Sequence, residues 1–206
     1  MKYLKTVLLL GCCCFTFPQL ANAQTANKEH YFQITPDPAY AKLFQLYGSN
    51  YLTYFDSDSV QIGEHWYFPK ITRYASGKID TTYYREDVQH FYHFQAVNKH
   101  ESVEMPKLPA VGQQWFEADS SWSYTILSMN EKLKTPAAKY TELLLLECEQ
   151  LTGRDKTKAK RYHLYYARGK GHVATKINGE LISYCYKEVS GAKDGDVVGP
   201  QKSKKR

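Results

Sequence analysis

RYHLYYARGKGHVATKINGELISYCYK, residues 161–187, is the stretch that decides the fold class of this chain. Its aromatic and β-branched segments are typical of strands, and two glycine-containing turns separate them. The first turn, Gly169-Lys170-Gly171, has glycines that permit positive φ, and the second, Asn178-Gly179, is the dipeptide most typical of a tight hairpin. We therefore predict three consecutive antiparallel strands, at Arg161 to Ala167, His172 to Ile177 and Leu181 to Lys187.

The residues before this stretch continue the same pattern. Leu143 to Glu149 form an apolar run that is too short to span a membrane and is bounded by polar residues, so we interpret it as a further strand. A Thr135-Pro136 corner precedes it. Aromatic and branched runs between turn signals predict the remaining strands, at Asn27 to Thr35, Asn50 to Phe55, Trp66 to Tyr74, Ile79 to Tyr84, Val88 to Ala96 and Trp122 to Ser128.

One segment near the start of the mature chain predicts a helix. Asp37 is a typical N-cap, Pro38 fits the first helical position, and Gly48 follows the predicted helix over Ala39 to Tyr47. A proline-containing linker, Met105 to Pro109, separates the strands into two groups. Short strands with turn signals every ~8–12 residues indicate an all-β fold, an antiparallel sandwich or barrel-like meander with at most one short helix.

The first 23 residues have the three-part pattern of a secretory signal peptide. Lys2 and Lys5 precede an apolar stretch, and Ala21-Asn22-Ala23 forms a cleavage site of small residues. The alternative is a lipoprotein signal that leaves a lipid on Cys12, for which the apolar core would be shorter than usual. We expect an exported protein, periplasmic or secreted, with the lipid anchor as the second interpretation.

Length and charge limit the partners of the mature chain. Cleavage after Ala23 leaves 183 residues, enough for one domain with a real core, and lowers the formal net charge from +6 to +4 because two lysines and no acids are removed. We predict a single β-rich domain over residues 24–188 and a disordered basic tail over residues 189–206. Because part of the excess charge lies in that tail, we predict no nucleic-acid binding, and no run of the mature chain is long enough for a transmembrane helix.

Two cysteines remain after signal cleavage, Cys148 and Cys185. An exported protein meets an oxidising compartment, so a disulfide is one interpretation and two separate buried thiols are the other. In a simple meander two other strands separate the strands that carry them, so only a closed or folded-over sheet would bring the thiols together. Both interpretations stay open.

Two spacings resemble catalytic or metal-binding patterns. His90 and His93 have a His-x-x-His spacing, but on a strand their side chains point to opposite faces, which favours two partly exposed histidines over a metal site. Glu147 and Glu149 share one face of a strand, and a solvated outer face is favoured over paired-carboxylate catalysis. Cys148 is a poor nucleophile because burial raises the pKa of a thiol. We therefore predict no catalytic residue, no metal site and no cofactor.

Aromatic residues are in excess, with 18 Tyr, 9 Phe and 3 Trp in the chain. Tyrosine fits half-buried sheet faces while its hydroxyl stays in water, and this structural explanation competes with an aromatic groove for an envelope glycan, lipid or protein. The candidates for ligand contact are four aromatic residues near turns: Trp66, Tyr84, Trp115 and Tyr166.

Several of these motifs also occur together in a group of bacterial proteins. The runs are IGEHWY (residues 62–67), YYRED (residues 83–87), TPA (residues 135–137) and YYARGKGHV (residues 165–173). This combination resembles uncharacterised exported β-rich proteins of Bacteroidetes-type bacteria, some of which are lipid-anchored. Because the shared motifs are turns and core aromatics, the resemblance implies fold and export and carries over no catalytic residue.

Two functions follow from these observations as alternatives. The first is an exported non-catalytic β module that binds or scaffolds in the cell envelope, and the second is an unrecognised envelope hydrolase. A buried cluster of His, Asp or Glu from several strands would favour the hydrolase. An open aromatic-lined concavity without such a cluster would favour the binding module.

Overall fold

The structure is a computed structural model that describes residues 30–97, 99–151 and 159–190. Across these residues the fold is all-β and antiparallel, as predicted, and no helix is present. The strands are β1 (Tyr40–Leu46), β2 (Ser49–Phe55), β3 (Val60–Ile62), β4 (His65–Tyr74), β5 (Ile79–Glu86), β6 (His90–Gln95), β7 (His100–Pro106), β8 (Gln114–Phe116), β9 (Trp122–Lys134), β10 (Lys139–Gln150), β11 (Arg161–Ala167), β12 (Gly171–Ile177) and β13 (Glu180–Ser190).

Twelve of these strands form one sheet that curls into a nearly closed barrel. Their order is β7, β6, β5, β4, β2, β1, β13, β12, β11, β10, β9 and β8, while β3 pairs only with β4. The barrel nearly closes where the terminal strands β7 and β8 meet. There the Trp115 Nε1 donates a hydrogen bond to the Val103 carbonyl at 3.0 Å, and the Ala118 amide donates to Ser102 Oγ at 3.0 Å. We call this junction the seam.

Both predicted hairpins of the C-terminal stretch are confirmed. Gly169 and Gly171 have φ of 70° and 76° in the turn between β11 and β12, and Asn178 and Gly179 have φ of 51° and 83° between β12 and β13. Two consecutive residues with positive φ are the conformation that the tightest hairpin turns require. These turns place β11, β12 and β13 side by side in sequence order.

The predicted helix over residues 39–47 is wrong, because this segment is strand β1. Asp37 does cap backbone amides, as the sequence suggests, but it does so in a turn. The Ala39 amide donates to Asp37 Oδ1 at 2.8 Å, and the Tyr40 amide donates to the Asp37 carbonyl at 2.9 Å. After that turn, β1 pairs with β2 on one side and with β13 on the other. Pairing between segments far apart in sequence therefore overrides the capping signal, as tertiary contacts commonly do.

The predicted strand over residues 27–35 is also corrected. Residues 27–29 lie outside the described part, and residues 30–35 form no strand. They run instead into the barrel, where Tyr31, Phe32 and Ile34 are nearly fully buried. We call residues 30–36 the N-terminal segment.

The proposed linker does not separate two groups of strands. Met105 and Pro106 end strand β7, which the sequence did not indicate, and residues 107–113 connect β7 to β8. β13 continues to Ser190, and the rest of the predicted tail, like the predicted signal peptide, lies outside the described residues.

The barrel interior is apolar over most of its length. Tyr165 and Tyr166 belong to different clusters because adjacent residues of a strand point to opposite faces. The inner cluster joins the N-terminal segment to strands from both ends of the sheet, and its buried members are Tyr31, Phe32, Ile34, Phe55, Tyr84, Phe91, Met105, Ile126, Leu144, Leu146, Cys148 and Tyr166.

Cys148 and Cys185 are free, buried thiols, which is the second of the two interpretations above. Burial raises the pKa of the Cys148 thiol well above its ordinary value, so this cysteine is held in its unreactive form. Among the residues that the structure describes, no helix has the length and apolar character needed to cross a membrane.

Candidate functional site

A groove of about 350 Å³ opens between the N-terminal segment and strands β4 and β5. We call it the Trp66 groove, after its most exposed aromatic residue. Its lining combines apolar, aromatic and charged side chains: Ile34, Pro36, His65, Trp66, Phe68, Arg85 and Glu86. This volume lies at the lower end of the range for small-molecule sites, about 300–1,000 Å³.

Trp66 is exposed because of the short hairpin that carries it. β3 pairs with β4 alone, with Gln61 opposite Trp66, and Gly63 supplies the positive φ of the turn, 61°. Since β3 stands outside the main sheet, the indole ring of Trp66 is not covered by a neighbouring strand and is 59% exposed. A large exposed aromatic ring in a concave site is a frequent feature of ligand-binding surfaces.

Arg85 and Glu86, which carry opposite charges, also line the groove. Arg85 donates to both carboxylate oxygens of Glu101, and its guanidinium lies 4.2 Å from the centroid of the Tyr92 ring. Glu86 pairs with Lys107 at 2.8 Å. The Arg85 guanidinium is thus taken up by Glu101 and Tyr92, whereas the Glu86 carboxylate, 45% exposed, is left partly open to a ligand in the groove that the Trp66 indole lines.

A second site is a buried ion cluster on the inner face near the seam. His93 of β6 has its Nδ1 3.0 Å from Glu104 Oε2 of β7, and its Nε2 lies 3.4 Å from Glu117 Oε1, just after β8. The side chains of His93, Glu104 and Glu117 are 7%, 18% and 13% exposed. The contact of Nδ1 is not aligned as a hydrogen bond, so it acts as an ion pair. Tyr124 donates its hydroxyl proton to Glu117.

The cluster moves the pKa values of His93 and Glu117 away from neutral pH in opposite directions. Burial acts to lower the pKa of His93, but its contacts with Glu104 and Glu117 outweigh burial and raise the pKa to about 10. Burial acts to raise the pKa of Glu117, but His93, Ser102 and Tyr124 outweigh it and lower the pKa to about 2. At neutral pH an imidazolium therefore stands between two glutamate side chains, and Glu117 is ionised.

A small polar pocket of about 200 Å³ adjoins this cluster. It lies at the other end of the barrel from the Trp66 groove, because Glu86 pairs with Phe91 at one end of β6 while Gln95 ends the strand at the other. Its lining residues are His93, Gln95, His100, Ser102, Glu117, Asp119, Ser121, Trp122, Tyr124 and Tyr162.

The four aromatic residues predicted as ligand contacts occupy different environments. Trp66 lines the open groove. Tyr84 and Tyr166 are buried in the inner cluster, 7% and 3% exposed. Trp115 is half-buried, packs against that cluster and stacks on Tyr124 with ring centroids 5.7 Å apart. The structure thus brings the last three together in the core and leaves Trp66 alone on an open surface.

The two histidines of the His-x-x-His spacing also differ in their burial. His90 is half-buried and contacts Tyr92, two residues along the strand, whereas His93 points into the barrel, so the two lie on opposite faces as predicted. The prediction that both are partly exposed is wrong for His93, because Glu104 and Glu117 compensate the charge of its buried ring. No local spacing connects these three residues, and only the fold brings them together.

The paired glutamates of β10 lie where the sequence predicted. Leu144, Leu146 and Cys148 are buried, while Glu147 and Glu149 face outward and pair with Arg161 at 3.6 and 3.0 Å. The described residues contain no group of three or more His, Cys, Asp or Glu side chains arranged to hold a metal ion.

Comparison with family models, with curated proteins and with solved structures found no match to this chain.

Proposed function

We propose that this protein is an exported, non-catalytic binding module of the bacterial cell envelope and that its ligand binds in the Trp66 groove. The observation that carries the proposal is the exposed indole of Trp66 in the larger of the two concave sites. Export is supported by the Ala21-Asn22-Ala23 cleavage pattern.

The groove chemistry favours a glycan as the ligand. An indole face packs against the apolar face of a sugar ring, and guanidinium and carboxylate groups form hydrogen bonds with hydroxyls around its edge. Glu86 and His65 supply polar groups of this kind in the groove, while the Arg85 guanidinium already donates to Glu101. Because Glu86 is paired with Lys107, binding costs less side-chain entropy than it would with a free side chain.

Replacing Trp66 by alanine is therefore expected to weaken glycan binding about tenfold or more, while changing the free energy of unfolding by less than about 0.5 kcal/mol. The binding loss follows from removal of the stacking surface, and the small stability change from its exposure. Calorimetric titration with fragments of envelope polysaccharides measures the affinity. The matched control is Phe116→Ala, since Phe116 is 50% exposed but lies outside the groove. Equal losses in both variants would contradict the proposal.

The second candidate, an envelope hydrolase, has one observation in its favour. His93, Glu104 and Glu117 form a buried cluster from different elements, beside a polar pocket. General acid–base catalysis works best when the pKa of the catalytic group lies near the working pH. A pKa of about 10 for His93 and of about 2 for Glu117 makes the first a weak acid and the second a weak base. The cluster thus supports a structural role better than proton transfer.

We accordingly expect no turnover of chromogenic esters, phosphates or glycosides by the purified protein above the rate in buffer. The assay compares wild type with His93→Gln and Glu117→Gln, and Glu147→Gln serves as the control on the outer face. Turnover that disappears in the His93 or Glu117 variant but not in the Glu147 variant, with the fold retained by near-UV circular dichroism, would establish the hydrolase instead.

A further inference from the structure

Lys70 of β4 places a positive charge among aromatic rings inside the barrel. Its ammonium nitrogen lies 5.8 Å from the centroid of the Phe32 ring, 5.9 Å from that of Phe55 and 5.4 Å from that of Tyr84. Burial lowers the pKa of Lys70, and the charge of Glu104 offsets part of this effect. In the described residues the ammonium contacts rings rather than a carboxylate, which leaves its charge only partly compensated.

The interior around Lys70 carries a second cation. Lys42 donates its ammonium proton to the Lys170 carbonyl. Burial first, and then the charges of Lys70 and Lys42, lower the pKa of the buried His172 to about 3, so this histidine is neutral and adds no charge. Among the described residues neither lysine forms an ion pair at hydrogen-bond distance; Glu104 acts on Lys70 and Glu188 on Lys42 from farther away, which leaves positive charge for an anion to pair with.

The N-terminal segment covers one side of the Lys70 ammonium with the ring of Phe32. This segment is outside the sheet and is tied to it by separate polar contacts. The Gly169 amide donates to the His30 carbonyl at 2.9 Å, and His30 Nδ1 lies 3.1 Å from the Lys107 carbonyl. The Tyr31 hydroxyl donates to the Glu142 carbonyl at 3.4 Å and accepts from Arg168 at 3.2 Å. Phe32 itself is held by ring contacts, at 5.3 Å from both Tyr84 and Phe91. Because no ladder of backbone hydrogen bonds ties residues 30–36 to the sheet, this segment can move without breaking a strand pairing, although movement exposes its buried side chains.

We propose that Phe32 covers an interior binding site for an amphiphile with an apolar chain and a single anionic head group, such as a fatty carboxylate. When the N-terminal segment moves, the apolar chain takes the place of the Phe32 ring against Tyr84, Phe91 and Met105. The carboxylate pairs with the Lys70 ammonium in a charge-assisted hydrogen bond. This site shares the N-terminal segment with the Trp66 groove, through Ile34 and Pro36, but its proposed ligand contacts neither Trp66 nor Glu86.

The test is calorimetric titration of the full chain with decanoate, with decyltrimethylammonium as the probe of opposite charge. We expect decanoate to bind wild type and decyltrimethylammonium to bind at least about tenfold more weakly, because one charge-assisted hydrogen bond contributes about this factor. Lys70→Met should weaken decanoate binding about tenfold, whereas Phe32→Ala should strengthen it because the competing ring is removed. These opposite changes distinguish an interior site from a general loss of structure.

The matched control is Lys78→Met, which removes an exposed lysine paired with Asp80 in the turn between β4 and β5 and should leave decanoate binding unchanged. If Phe32→Ala does not fold, Phe32→Leu should also strengthen decanoate binding, by a smaller factor. Trp66→Ala should retain decanoate binding, so failure of the groove and failure of this site are separable. Absence of decanoate binding in both wild type and the Phe32 variant, or unchanged binding in Lys70→Met, would overturn the proposal.

Discussion

Replacing His93 by glutamine is expected to lower the free energy of unfolding by about 3–5 kcal/mol, because it leaves buried carboxylates without their cation. Glu104 and Glu117 lie 3.0 and 3.4 Å from the imidazole ring in the wild type, and both side chains are largely buried. Without the imidazolium, the Glu117 carboxylate stays in a poorly hydrated site with no cation beside it. Equilibrium unfolding in urea, followed by tryptophan fluorescence, measures the change.

His90→Gln is the matched control, since it makes the same substitution three residues earlier, on the other face of β6. We expect this variant to lose less than about 1 kcal/mol, as half-buried surface positions do. A double variant, His93→Gln with Glu117→Gln, should be more stable than His93→Gln alone, because one unpaired carboxylate is removed. Equal stability of the His90 and His93 variants would show that the cluster contributes nothing.

The position of the cluster explains why its effect should be large for the whole fold. Glu104 belongs to the last strand at one end of the sheet, and Glu117 follows β8 at the other end. His93 therefore joins the two sides of the seam, together with the hydrogen bonds of Trp115 and Ala118. Exposed strand edges can pair with strands of other chains. At the seam, side-chain contacts cover the edges of β7 and β8 in place of a continuous ladder of backbone hydrogen bonds.

The features that could be predicted from the sequence are those set by neighbouring residues. Asn178-Gly179 predicts its own turn because only a few residue types tolerate two consecutive positive φ angles. The outward position of Glu147 and Glu149 follows from the two-residue period of a strand that buries Leu144 and Leu146.

The features that could not be predicted depend on which segments become neighbours. The capping residues before β1 predict a helix because they act locally, whereas the pairing that makes this segment a strand comes from β2 and β13. The exposure of Trp66 depends on β3 standing outside the main sheet, which no residue pattern marks. His93 was recognised as one of two histidines on opposite faces of a strand, but the face that turns inward depends on the closure of the barrel.

The charge state of His93 also predicts how stability changes with pH. Its pKa is raised from an ordinary value of 6.5 to about 10 in the folded protein, so its contribution is fully present below pH 6.5 and is lost as the pH rises through 10. The pKa of Glu117 is lowered to about 2, so its contribution is present above its ordinary value of 4.5 and is lost only as the pH falls through 2. The cluster therefore stabilises the fold most between about pH 5 and pH 6.5.

The measurable quantity is the difference in unfolding free energy between wild type and His93→Gln, determined in urea at pH 6, 8 and 10. This difference should decrease as the pH rises, by at most about 1.4 kcal/mol per pH unit, because above pH 6.5 the unfolded wild type has lost the imidazole proton that its folded state still holds, whereas the variant has no such proton. Lys42, whose pKa burial lowers to about 8, titrates in the same range and in the opposite sense, but it is present in both proteins and cancels in the difference. A difference that is the same at pH 6 and pH 10 would mean that His93 is neutral in the folded protein, and the ion cluster would then hold no imidazolium at all.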